Sequence, residues 1–174
     1  MNLSLQSSDF ELFGVPQAFA QDAAAIDARW KELQREAHPD RFAAQGGAAQ
    51  RVAMQWSARI NEAYKRLKDP MRRAAYLCEM RGAPIEAESN TAMPAQFLID
   101  QMEWRESLEH AQSPGDVEQL DSQLRAARAD ALERIRKLLD EDGDANSAAQ
   151  EVRALMFLER FAQDVDARAE QLGQ

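Results

Sequence analysis

At 174 residues the chain has room for one large domain or two small ones, and a 45% hydrophobic content supports a packed core rather than disorder. The net charge of −9 argues against general nucleic-acid binding, which needs a basic face. Cys78, the single cysteine, excludes an intrachain disulfide or a CxxC pair for zinc or redox work, and fits a reducing compartment.

The N-terminal MNLSLQSSDF has no basic stretch followed by an apolar one, so no secretory signal is expected. No apolar run approaches the ~20 residues needed to cross a bilayer. A soluble, cytoplasmic protein with no membrane or nucleic-acid partner is expected. Glycine and proline punctuate long segments without sustained period-2 alternation, which predicts an all-α chain.

Asp9 is expected to cap a short helix whose Phe10 and Phe13 pack inward and which ends at Gly14 and Pro16. A second helix is predicted over 22–37, with Ile26, Trp30, Leu33 and Ala37 along one stripe. Pro39 forbids its continuation, because proline lacks the backbone donor and pushes His38 out of the α region. A third helix over 48–68 has the stripe Ala49, Val52, Trp56, Ile60, Ala63 and Leu67. The two stripes can face each other only if 38–47 is a hairpin loop, with His38, Pro39 and Asp40 at its tip. Asp69-Pro70 stops the third helix, and a fourth over 71–81 is closed by Gly82.

The polar text of 83–93 reads as a linker or loosely packed connection. Three helices follow, over about 95–112, 116–142 and 146–172, joined by Pro114-Gly115 and the turn around Gly143. Short connections favour an up-down-up bundle. The middle helix should bury Val117, Leu120, Leu124, Ala127, Ala131, Ile135 and Leu138. The last should bury Leu155, Leu158, Ala162, Val165, Ala169 and Leu172. The domain boundaries expected are 1–82, a linker at 83–93, and 94–174.

His38 and Asp40 could in principle be a metal or catalytic pair. Metal sites normally take three or four ligands, however, His110 is the only other histidine, and no nucleophile motif accompanies them. No enzyme activity, metal or cofactor is expected. In the first bundle helix Phe97, Trp104, Leu108 and Ala111 make the core stripe, interrupted by Gln101. Leu98, Ile99 and Met102 project off it, interleaved with Glu103, Arg105, Glu106 and Glu109, and Phe157 stands about 120° from the stripe of its own helix. Such a cluster suggests an interface, the alternative being packing against the N-terminal domain.

The His38-Pro39-Asp40 loop resembles the signature of a J domain, the module by which co-chaperones engage DnaK-type chaperones. The Asp9-Phe10-Phe13-Gly14-Val15 opening and the Asp69-Pro70-Met71-Arg72-Arg73 break stand where a J domain has them. The resemblance implies chaperone binding through His38, Pro39 and Asp40, with Lys31, Arg35 and Arg41 as a basic strip. Glu32 and Glu36 dilute that strip, and Ala37 stands where many J domains have tyrosine.

A J domain followed by an acidic three-helix bundle resembles the HscB family in particular, through Phe97-Leu98-Ile99-Asp100-Gln101-Met102-Glu103-Trp104-Arg105-Glu106 and Val152-Arg153-Ala154-Leu155-Met156-Phe157-Leu158. This implies a bacterial-type co-chaperone in iron–sulfur cluster assembly. It would bind an IscU-type scaffold through Leu98, Ile99, Met102, Glu103, Arg105, Glu106, Glu109 and Phe157, and deliver it to an HscA/DnaK-type chaperone whose ATPase it stimulates. The alternatives are a J protein for a different client, or a structural helical protein in which the tripeptide is accidental.

Overall fold

In a computed structural model, which describes residues 3–173, every regular element is helical, and the chain divides after Tyr76 into two compact units. The helices are α1 (Asp9–Phe13), α2 (Ala23–Ala37), α3 (Gly47–Lys68), α4 (Pro70–Met80), α5 (Ala95–His110), α6 (Pro114–Arg136) and α7 (Ala145–Leu172). A 3₁₀ helix at Pro39–Gln45 and a π turn at Lys137–Asp142 complete the order. None of the helices among the described residues is long and apolar enough to cross a membrane.

In the first unit α2 and α3 pair as a hairpin over Phe10, Leu12, Phe13, Ile26, Leu33, Ile60 and Leu67. Asp22 caps α2 through the amides of Ala24 and Ala25. The cap of α1 differs from expectation. Ser8 accepts from the Glu11 amide, while Asp9, fully buried, accepts from Arg59 Nη2 and Arg66 Nη2, each at 2.8 Å. Arg66 also lies 4.1 Å from the centre of the Tyr76 ring, and the Tyr76 hydroxyl accepts from the Asp9 amide.

The α3 stripe is also displaced. Val52 is 52% exposed, and Ala53 is buried in its place. The alanine allows close approach of α2, whereas Val52 lines an open apolar groove of about 550 Å³ with Leu33, Phe42 and Trp56. Polar contacts lock the outer flank of the hairpin. Trp30 stacks on Tyr64 with centroids 4.7 Å apart and donates to Asn61, while Gln34 bridges Asn61 and Ser57. Asp27 accepts from Lys68 and from the Tyr64 hydroxyl, and both contacts, Lys68 foremost, hold its carboxyl below the usual range.

In the second unit α5, α6 and α7 bury Phe97, Trp104, Val117, Leu120, Leu124, Leu158, Phe161 and Val165 in one cluster. Ser113 and Asp116 form a reciprocal capping box at the start of α6, behind Pro114 at the first helical position. At its far end the π turn corrects the expected stripe: Leu139 is buried and Leu138 only half so. A turn closed by i→i+5 bonds is wider, so the fourth residue after Ile135, rather than the third, comes over it. In α7, Ala169 is exposed, contrary to the sequence reading, and Phe161, outside the expected stripe, is buried.

Residues 83–93 carry no helix and are mostly exposed, yet they are tied down at both ends. Ala83 and Ile85 are buried, and the buried Arg153 of α7 donates to the carbonyls of Ile85, Ala92 and Pro84. A guanidinium has five donors in a fixed fork, so one side chain can fasten a whole segment without a carboxylate.

Candidate functional site

The loop between α2 and α3 is built by Pro39. His38 ends α2 at φ −64°, ψ 128°, the extended conformation that a following proline imposes. Pro39 then opens the 3₁₀ helix at a position where a missing N–H costs nothing. His38 Nδ1 accepts from the Asp40 amide at 3.2 Å. The Asp40 side chain is 91% exposed, with its Oδ2 3.6 Å from His38 Nδ1. A carboxylate held in water at the tip of a hairpin by backbone geometry is available to a partner and contributes little to the fold.

Lys31, Arg35 and Arg41 are all exposed. Arg41 has a second role, because its guanidinium donates to the Arg35 carbonyl at 3.1 Å and so caps the open end of α2. Of the two acids interleaved with this strip, Glu32 is paired with Arg29 at 3.2 Å, which takes up part of its charge. The strip is therefore more basic in space than in sequence.

On the bundle, the buried side of α5 is its Phe97–Trp104 stripe, and the opposite side carries an apolar row. Leu98, Ile99 and Met102 are 44%, 54% and 70% exposed. Glu103, Arg105, Glu106 and Glu109 are exposed around them. Phe157 does not stand clear of the core as expected. It is half-buried, edge-on to Phe97 and stacked on Phe161, and the Arg105 guanidinium lies 5.1 Å above its ring. An offset of 120° in a helix between two neighbours points to the second neighbour, here α5, not to water.

The charges that sequence reasoning did not place inside the fold are Asp9, Arg59, Arg66 and Arg153. All are charged residues in helices, and no local signal distinguishes a buried one from a solvated one. Burial pushes the Cys78 thiol up to about 11, which keeps it protonated and unreactive near neutrality. Among the described residues no group of three or more His, Cys, Asp or Glu is arranged to hold a metal ion.

A family model described as the HSCB C-terminal oligomerisation domain matches residues 93–166. The co-chaperone protein HscB homologue of Burkholderia multivorans is 50% identical over 173 residues, covering 98% of both chains. That of Paraburkholderia xenovorans is 47% identical over 171 residues, covering 97% of this chain and 98% of its own. Among solved structures, the chaperone HscB from Vibrio cholerae superposes with a TM-score of 0.80 at 33% identity, over 95% of this chain and 99% of its own. The human co-chaperone protein HscB gives 0.84 at 25% identity, over 93% and 82%.

Proposed function

The chain belongs to the HscB co-chaperone family, a J domain followed by a C-terminal helical domain, and on that premise we propose that it is a cytoplasmic adaptor without enzyme activity of its own, joining an iron–sulfur scaffold to a chaperone. Residues 1–82 act as the J domain, 83–93 connect, and 94–174 bind the client. The J domain presents His38, Pro39 and Asp40, flanked by Lys31, Arg35 and Arg41, to an HscA/DnaK-type chaperone and stimulates its ATPase. The outer side of α5 and the exposed edge of Phe157 hold an IscU-type scaffold. Carrying client and ATPase trigger on one chain makes the second encounter intramolecular, which raises the effective concentration of each partner for the other.

The observation that carries this reading is the exposed row Leu98, Ile99 and Met102 on a helix whose other side is fully packed. An apolar row left in water costs free energy, and a partner that covers it recovers that cost.

Leu98→Ala with Met102→Ala is expected to lower scaffold affinity by roughly 30-fold or more, at about 1–2 kcal/mol for each anchor truncated at an interface. The melting temperature should not move. Phe157→Ala should weaken binding and also lower the melting temperature, at about 1–3 kcal/mol, below the cost of truncating a fully buried phenylalanine. Calorimetric titration beside a thermal melt separates the two outcomes. Undiminished affinity in the Leu98/Met102 variant would remove α5 from the client site.

For the basic strip, Lys31→Ala with Arg35→Ala is expected to weaken chaperone binding several-fold at low salt, with the difference closing as salt is added, since exposed charges are screened. A loss of equal size at high salt would assign these side chains a packing role instead.

A further inference from the structure

Between α5 and α7 runs a groove of about 440 Å³ lined by Arg105, Leu108, Glu109, Phe157, Arg160, Phe161 and Asp164. Its floor is apolar and aromatic, and Arg105 and Arg160 bring the two cations. Every other Lys or Arg of the second unit is held, either by a carboxylate, as Arg134 is by Glu151, or by a main-chain carbonyl, as Arg153 is by Ile85. Among the described residues Arg160 makes no hydrogen bond, ion pair or ring contact, and Arg105 makes only the contact with the Phe157 ring. In a chain of net charge −9, guanidinium groups are easily neutralised internally. Two left without an ion pair or hydrogen bond in one groove can take an external carboxylate without first breaking a bond of their own.

We propose that this groove seats an acidic side chain of the scaffold partner, and that Arg160 is a specificity-determining residue for that partner. The proposal rests on the scaffold-binding reading above and extends its surface, since Met102 precedes Arg105 by three residues on one helix and so adjoins it. The ring of Phe157 beneath Arg105 excludes water from one side of the guanidinium, which strengthens its attraction for a carboxylate. Glu109 and Asp164, each four residues after its arginine, repel an anion from the far end of the groove and so fix where the acid sits.

The test is calorimetric titration of a purified IscU-type scaffold into the full-length chain and its variants at two salt concentrations, with a thermal melt of each. Arg160→Glu is expected to bind about tenfold or more weakly, Arg160→Ala several-fold more weakly with a flatter salt dependence, and Arg160→Lys in between, because lysine keeps the charge but not the bidentate fork. Melting temperatures should match the unsubstituted chain, since Arg160 is exposed and unpartnered. Wild-type affinity in Arg160→Glu beside lost affinity in Leu98→Ala/Met102→Ala would overturn the groove and leave the scaffold reading standing. Wild-type affinity in both would overturn that reading and the groove with it. A change confined to self-association, seen by sedimentation, would also overturn it and assign the groove to a second copy of the chain.

Discussion

Asp40→Asn is expected to leave a folded chain that melts like the unsubstituted one and no longer stimulates the chaperone's ATPase. The side chain is 91% exposed, and His38 Nδ1 lies 3.6 Å from its Oδ2 in the open. The hydrogen bond that shapes the loop uses the Asp40 amide, which asparagine keeps. A substitution of this kind away from caps and core stays within about 0.5 kcal/mol of neutral in stability. The effect on the partner is much larger. In the proposed chaperone contact the carboxylate accepts charge-assisted bonds, and replacing it by an amide removes the charge and turns one acceptor into a donor. Stimulation should fall to the level of the chaperone alone, measured as steady-state phosphate release with a melt recorded beside it. A folded variant that stimulated normally would separate the tripeptide from the activity.

The largest loss of stability is expected from Asp9→Ala. The carboxylate is fully buried and shared between Arg59 and Arg66, whose side chains are 14% and 28% exposed. Arg59 also donates to the carbonyls of Leu5 and Ser7, so the cluster ties the segment before α1 to α3. Removing the acid leaves two guanidiniums facing each other in a partly dry site. Breaking a buried pair from one side costs about 3–5 kcal/mol, and the partial exposure of both arginines favours the lower end. About 3 kcal/mol in a unit of this size lowers the melting midpoint by on the order of 10–20 °C. Scanning calorimetry reads the change, and a shift of less than about 5 °C would show that the arginines resolvate freely and that Asp9 contributes little.

The exposed row of α5 was legible in the sequence because it depends only on rotation about one helix: once Phe97 and Trp104 mark the inside, Leu98, Ile99 and Met102 must lie elsewhere. The hairpin with its tripeptide was legible for a similar reason, since Pro39 acts on its immediate neighbours. What was missed depends on a second element. Whether Val52 or Ala53 faces inward is decided by how closely α2 approaches, and whether Leu138 or Leu139 does so is decided by a π turn with no sequence marker. Asp9 reads as a cap until the arginines 50 and 57 residues further on are brought to it. Phe157 reads as outward until α5 is placed against it. Arg153 reads as a solvated charge, although its partners are carbonyls more than 60 residues upstream.

The coupling of client and chaperone by one chain is tested most directly by the chaperone's ATPase rate measured with scaffold and this protein together. At subsaturating scaffold the full chain should raise the rate by more than the product of the two separate effects. Leu98→Ala/Met102→Ala should reduce the combined effect to that product while still stimulating alone, and Asp40→Asn should abolish stimulation under both conditions. Equal rates for the full chain and the Leu98/Met102 variant at every scaffold concentration would contradict the account, because client and trigger would then act as if carried on separate molecules.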